Sequence, residues 1–464
     1  MLFIFPLLYI GSFLLALVRL IQKRIQGFLS FMVFGLPIYT TSLSITFFYG
    51  LGFLIPVMQS FKEIAIFLGL GFVLYHWKRK IRLHLVDKLI LFFFAYTLLY
   101  AILPLGQYGF TDRLIAFKSL SFFILVYFMG RFFDIKKIYI NQYFHYICLV
   151  AVAASLLLMY EVYHYTHFQA MIGYADYNYY YFNQEPSGNY GLSWTFEIEN
   201  GTKRFASFFA NPLEYSASSV MTICVLAALY TRNNSKIKID QFGIVVFVST
   251  LVAVFFSLSR ASFASYFLII YTYALLTNKK IIIKVIHYTF LAIALYITFR
   301  VSKDFQEFII NTINFSNESS LGHVLEWLEG IQSMISNPLG IGLGESGRVS
   351  AFIGQNTGGE NQFIIIGVQA GVIAFGIYLA VYVLLIKNAY KWFKKLRGKE
   401  KKICLAVLLM KVGFIIPTMT ANFESYIYIS YISWFLSGLF INIISQKEEI
   451  AVAAKKKTHL INPV

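Results

Sequence analysis

The chain has 464 residues and a formal net charge of +17; 58% of its residues are hydrophobic and only 13% are charged. A soluble domain carries about 25% charged residues. The charges here fall in short clusters between apolar runs of the length a bilayer requires, roughly 20 residues. This excludes a soluble globular protein, and also a β-barrel, whose strands alternate apolar and polar residues over about 10 positions. It describes an all-α polytopic membrane protein.

In chain order, apolar spans are expected at 2–20, 29–57, 61–76, 86–103, 114–131, 141–163, 213–230, 242–258, 262–277, 281–299, 362–386, 403–419 and 425–445, giving about 12–13 transmembrane helices. The first lacks a basic start and a small-residue cleavage site, so it reads as a retained helix and not as a signal peptide. The 29–57 run is too long for one straight helix and carries Gly35 and Pro37, so it is expected to break, and the N-terminal orientation stays open. The basic clusters "HWKRKIRLH" (76–84), "RFFDIKK" (131–137), "TRNNSKIKID" (231–240), "NKKIIIK" (278–284) and "KNAYKWFKKLRGKEKK" (387–402) lie between spans. Short basic loops of this kind stay cytoplasmic, so the positive charge is a topology signal and argues against nucleic acid. The three cysteines, Cys148, Cys224 and Cys404, have no paired spacing and imply neither disulfides nor a thiol metal site.

The alternation divides the chain into N-terminal transmembrane helices (1–163), a first large outer loop (164–212), central transmembrane helices (213–299), a second large outer loop (300–361) and C-terminal helices with a cytoplasmic tail (362–464). The first loop is rich in Tyr and Trp, without the Pro, Ser and Gln bias of disorder. The second contains an amphipathic helix. Val324, Leu325, Trp327, Leu328, Ile331, Met334 and Ile335 recur at helical spacing, and Asn337-Pro338 and Gly340 end it. Such a helix suits the membrane interface, and it equally suits packing on its own protein.

Ionisable residues at the outer edge are few: Arg113 and Lys118 at the start of the fifth span, Arg204 before the seventh, Glu214 just inside it, Arg260 in the tight turn of "SLSRASFASYF", and Glu360 before the eleventh. Charges near the apolar layer are costly unless paired or hydrated, which makes them functional candidates. Snorkelling at a helix end, or a structural Arg–Glu pair, is the plain alternative. Arginine suits bidentate recognition of phosphate, and a lipid-linked diphosphate presents its charge at this depth. As a leaving group it needs preorganised cations. The outer loops hold no D-x-D cluster and no H-E-x-x-H, so no metal or other cofactor is implied. A base for an attacking hydroxyl is offered by Glu360 or His323, and less directly by Glu214, His164 or His167. Glu360 is also placed to cap its helix and complement the helix dipole.

Four segments together resemble the O-antigen ligase and polymerase superfamily: "KRFASFFANPLEYSASSV" (203–220), "FSLSRASFASYFL" (256–268), "HVLEWLEGIQSMISNPLGIGLG" (323–344) and "ENQFIIIGVQAGVIAFGIYL" (360–379). The resemblance implies a glycosyltransferase of the C-type fold class. It would act without metal on undecaprenyl-diphosphate-linked saccharides at the outer, periplasmic face of the plasma (inner) membrane, with Arg204 and Arg260 as the family's essential arginines. The ligases carry His followed by Asn, Ser or Gln, nine residues, and Gly. This chain keeps Asn361, the gap and Gly371 but has Glu360 for the His, as many surface-polysaccharide polymerases do. His323 stands where relatives often have Arg, and Arg348 is another source for a third phosphate-binding cation.

The expectation is a polymerase of lipid-linked oligosaccharide repeat units, with a chain-length regulator as a further candidate partner. The alternatives are an O-antigen ligase, which transfers polymer to the lipid A–core, and a polysaccharide flippase or transporter.

Overall fold

The computed structural model describes residues 2–78, 82–198, 200–300, 318–347, 350 and 356–461. Among them, ten helices are long and apolar enough to cross a membrane: Ile4–Ile21, Gln26–Phe48, Gly52–Tyr75, Leu85–Ile102, Phe110–Arg131, Ile140–His164, Pro212–Tyr230, Gln362–Phe393, Gly398–Thr420 and Ile427–Ala451. Gln241–Phe256, Arg260–Leu276 and Lys280–Arg300 are helical at three further expected spans. The protein is an all-α, multi-pass membrane protein. Leucines such as Leu7, Leu8, Leu14 and Leu15 of the first helix are exposed, as expected of a surface that faces lipid.

The N-terminal region breaks at a different place from the one read in the sequence. The interruption is at Tyr49–Leu51, not at 57–61. Gly50 turns the chain at φ +75°, while its N–H and that of Leu51 bond back to Phe47 and Thr46. A left-handed glycine of this kind ends a helix cheaply. Pro56 then falls in the first turn of the next helix, where its missing N–H costs nothing. Gly35 and Pro37 produce a π turn at Phe31–Gly35 and a 3-10 turn at Leu36–Ile38 without ending the helix.

Contacts between loops sort the bundle into two ends. At one end the basic segments meet. Gln26 donates to Lys137 O at 2.6 Å, Lys399 to Ile135 O at 2.6 Å, Lys402 to Asn141 Oδ1 at 2.8 Å, and the Gly398 N–H to Asn233 Oδ1 at 2.7 Å. A buried pair anchors this end: Arg131 Nε donates to Asp87 Oδ2 at 2.9 Å, and the Tyr127 hydroxyl donates to Asp87 Oδ1 at 2.6 Å. At the other end the two large loops gather. Thr41 donates to Phe208 O at 2.7 Å, Tyr181 to Gly52 O at 3.0 Å, and Gln107 Nε2 to Glu345 Oε2 at 2.9 Å.

Small residues let backbones touch. A Cβ added at Gly438 would run into Tyr127 O, and one at Gly130 into Phe435 O, so the Phe110–Arg131 and Ile427–Ile461 helices approach as closely as membrane helices can.

The second large loop is described in part. Its Glu318–Ser336 helix packs Trp327 and Met334 against Ile364, Val368 and Phe375 of the Gln362–Phe393 helix. Residues 301–317 and 351–355 lie outside the described residues.

The Gln362–Phe393 helix is interrupted at Gly371, which has φ +78° and ψ +177°. The freed carbonyls do not go unsatisfied. Val368 O accepts from Ile341 N at 2.9 Å, Gln369 O accepts from Gly342 N at 3.2 Å, and Val372 N donates to Pro338 O at 2.9 Å. The 337–344 segment is therefore inserted into the break. Irregular backbone at membrane depth is tolerated only where protein partners complete it. Only glycine adopts this backbone region freely, and a Cβ here would collide with Pro338 O and Leu339. Gly371→Ala is expected to destabilise the fold by about 3 kcal/mol, seen as a lower midpoint in detergent unfolding; Gly376→Ala, at an open helical position, is expected to leave the midpoint within about 0.5 kcal/mol of wild type.

Candidate functional site

The site is assembled at the loop-bearing end from three segments far apart in sequence. The first is the strap leading to the Pro212–Tyr230 helix. An antiparallel bridge between Glu197 and Lys203 brings the strap back on itself. Arg204 N donates to Phe196 O at 2.8 Å and Phe205 N to Phe256 O at 3.2 Å. The strap is thereby laid on the 256–260 turn, and Arg204 Nε donates to Ser257 O at 3.0 Å. That turn is made by Leu258 in the left-handed region (φ 47°) and by Ser259, whose hydroxyl caps the next helix at Ser262 N. Arg260 is the first residue of that helix and is exposed.

The second segment is the Glu318–Ser336 helix, which carries His323 and Glu326 one turn apart, with Nδ1 3.7 Å from Oε2. The third is the glycine turn before Glu360. Gly358 and Gly359 both have positive φ, and a Cβ on Gly359 would occupy the space of the Glu326 side chain. The two glycines thus let the helix bearing His323 and Glu326 come down onto the turn. Asn356 ties the turn together, accepting from Gly347 N at 2.8 Å and donating to Gly359 O at 3.1 Å.

The helix start after Glu360 is capped by Asn361. Its Oδ1 accepts from Phe363 N at 3.0 Å and Ile364 N at 3.3 Å. Capping, the plain alternative for Glu360, is done by its neighbour. Among the described residues the Glu360 carboxylate has no hydrogen bond and no close ion pair, and it is open to a cavity of about 330 Å³.

The groups at this end act on one another. Burial holds the Arg204 guanidinium below its ordinary value, at about 10, with Tyr426 and Glu360 opposing the shift and Arg260 adding to it. It stays cationic at neutral pH. Desolvation by the surrounding protein raises the Glu360 carboxyl although the cavity wets it; Glu326 adds to this, while His323 and Arg204 pull it down. His323 is raised, first by its hydrogen bond to Glu326 and further by Glu360, against burial and Arg260. Arg204, Arg260, His323 and Glu360 therefore form one electrostatic group, a mixed set of cations around a carboxylate of raised basicity.

Glu214 lines the same cavity. Its backbone N–H is capped by Asn211 Oδ1 at 2.9 Å. The wall carries rings, Tyr39, Tyr174, Tyr177 and Tyr426, and a second set of amides, Asn178, Gln184, Asn211 and Asn422.

The other sequence candidates are placed elsewhere. Lys118 Nζ pairs with Glu63 at 2.5 Å. Arg113 is buried, bonds to Leu103 O and lies over the Phe110 ring. Neither is among the charges acting most strongly on Glu360 or Arg204. Arg348 lies outside the described residues. Among the described residues, no group of three His, Cys, Asp or Glu side chains is arranged to hold a metal ion.

Three residues at the site escape a reading of the sequence. Tyr426 lines the cavity with Glu214 and Glu360 and lies within electrostatic reach of Arg204, and nothing in "ANFESYIY" marks it. Glu326 was legible only as the polar face of a helix, although its three-residue spacing from His323 is a signal. Glu424 is buried, accepting from Tyr378 at 2.5 Å, from Trp434 Nε1 at 2.9 Å and from Ser430. Its backbone N–H donates to Gln362 Oε1 at 3.0 Å, which ties the Tyr426 loop to the helix start beside Glu360.

No protein-family model matches the chain, and no curated protein matches it.

Proposed function

We propose that the protein is a membrane glycosyltransferase that polymerises lipid-linked oligosaccharide repeat units of an O-antigen or related surface polysaccharide at the outer face of the plasma membrane. The observation that carries this reading is the electrostatic group of Arg204, Arg260, His323 and Glu360 beside a cavity walled by tyrosine rings and amides. Aromatic faces and amide hydrogen bonds are what a saccharide needs from a protein surface. Paired guanidinium groups are what a diphosphate needs.

In the proposed reaction Arg204 and Arg260 hold the diphosphate of the donor, the growing chain on undecaprenyl diphosphate. A hydroxyl of a new lipid-linked repeat unit attacks the donor's anomeric carbon. The new glycosidic C–O bond forms as the anomeric carbon–phosphate oxygen bond breaks, with inversion. The bonding electrons leave on undecaprenyl diphosphate, where the guanidinium charges stabilise them, and the hydroxyl proton passes to Glu360. A raised carboxyl pKa makes Glu360 a stronger base than an ordinary glutamate.

Deleting the gene and displaying the cell's surface-polysaccharide ladder tests the class. Loss of every rung beyond one repeat is expected. Loss of all lipid A-linked rungs with lipid-linked polymer retained indicates a ligase instead, and an unchanged ladder removes the reading.

A further inference from the structure

A second cavity, of about 570 Å³, lies at the opposite end of the bundle, among the basic loops. It forms where the hairpin after the Pro212–Tyr230 helix meets the start of the Gly398–Thr420 helix. The hairpin is rigidly made. Thr231 and Ile237 form an antiparallel bridge, Arg232 N donates to Lys236 O at 2.9 Å, and Ser235 turns at φ 61°. Asn233 fastens it to the neighbouring helix. Its Oδ1 accepts from Gly398 N at 2.7 Å, and its carbonyl accepts from Lys401 Nζ at 2.7 Å.

This leaves Arg232, Lys238 and Lys402 around one recess, together with Asn234. Lys402 is steadied by Asn141 Oδ1 at 2.8 Å. Among the described residues, neither the Arg232 guanidinium nor the Lys238 ammonium has a hydrogen bond or ion pair, and no acid lines the recess. The nearest carboxylate in sequence, Asp240, is already engaged by the Tyr230 hydroxyl at 2.5 Å and Gly243 N at 2.8 Å. The arrangement concentrates positive charge in a concavity that no described residue neutralises.

The geometry points to a phosphate-binding site here, distinct from the proposed catalytic site and independent of it. Three cations with a guanidinium fork fit a phosphate group bidentately. Depth favours the headgroup of an anionic phospholipid as its source. The recess sits where the Pro212–Tyr230 helix ends and the Gln241–Phe256 helix begins, and the first turns of the latter expose Ile244, Val245 and Val248 outward. A lipid phosphate at the recess would have its acyl chains beside those side chains. The basic loops place this end at the cytoplasmic leaflet, which carries the anionic lipids. A free phosphate ester shares the same chemistry.

The test uses the purified full chain in nanodiscs of phosphatidylcholine with and without phosphatidylglycerol, and separately in detergent with inorganic phosphate or glycerol phosphate. Retained lipid is read by native mass spectrometry, and thermal midpoints are followed in parallel. Wild type is expected to retain phosphatidylglycerol in preference to phosphatidylcholine. The double substitution Arg232→Ala with Lys238→Ala is expected to weaken that preference about thirtyfold, without lowering the midpoint measured in phosphatidylcholine alone. Lys236→Ala, an exposed neighbour outside the recess lining, is expected to change nothing. Stabilisation by phosphate or glycerol phosphate, lost in the double variant and unaccompanied by a lipid preference, supports the site with a free ester as its ligand. The proposal is overturned if no probe binds, if the double variant binds as wild type does, or if Lys236→Ala weakens binding equally, since that marks diffuse attraction to a basic surface.

Discussion

Glu360→Gln is expected to abolish chain growth while the protein accumulates in the membrane at wild-type levels. The amide preserves size and shape but does not accept the hydroxyl proton at neutral pH. General-base catalysis contributes about 10²–10⁴ in rate, so a loss of at least a hundredfold is expected from purified enzyme. Folding is spared for a specific reason. The helix start is held by Asn361 and by the Glu424–Gln362 hydrogen bond, and no described residue hydrogen-bonds to the Glu360 carboxylate.

The pH dependence carries the same signature. A base works only when deprotonated, so wild-type activity falls as pH drops through the Glu360 pKa. Burial and Glu326 raise that pKa, so the acid limb is expected above the ordinary carboxylate range. Glu326→Gln removes one raising charge and is expected to move the limb to lower pH. Full-length polymer from Glu360→Gln eliminates Glu360 as the base, and an acid limb unmoved in Glu326→Gln eliminates the electrostatic coupling.

Arg204→Lys and Arg260→Lys are each expected to lower the turnover by about a hundredfold or more, in the range seen when one preorganised transition-state donor is lost. Lysine keeps the charge and loses the planar fork. At Arg204 the fork has a defined division of labour. Nε is committed to Ser257 O, and the remaining guanidinium nitrogens are the ones available to a substrate oxygen. A lysine there loses both the anchor and the second donor. A double substitution is expected to cost less than the product of the two singles, because two groups on one diphosphate are coupled. Wild-type turnover in either single variant marks that arginine as structural. Loss of folded protein in Arg204→Lys, read as a lower thermal midpoint, assigns it to holding the strap on the 256–260 turn.

Much of the architecture was legible in the chain itself. Bilayer length, basic loop placement and the scarcity of internal charge point to helices and their alternation, because a lipid solvent admits few other backbones. The amphipathic 323–335 helix and its stop at Asn337-Pro338 follow from local periodicity and are present in the Glu318–Ser336 helix. The misplaced break near residue 50 shows the limit. Gly35 and Pro37 mark the 29–57 run for a break, yet they only deform a continuous helix, and the true stop is Gly50.

The site divides the same way. Sequence alone marked Arg204, Arg260 and Glu360 as charges expected near a membrane edge, and His323 as a candidate base, since scarcity makes each one visible. It did not determine which of them meet. Lys118 and Arg113 look equivalent by position, but Lys118 is drawn to Glu63 and Arg113 to its own loop carbonyl, contacts that depend on how helices rotate against one another. Only the tertiary structure decided that Asn361 caps the helix and leaves Glu360 open, that Gly358-Gly359 admits Glu326 beside it, and that Tyr426 stands among the charges. Each of these is a close approach between segments at least 30 residues apart or a choice between adjacent residues, and local propensity is blind to both.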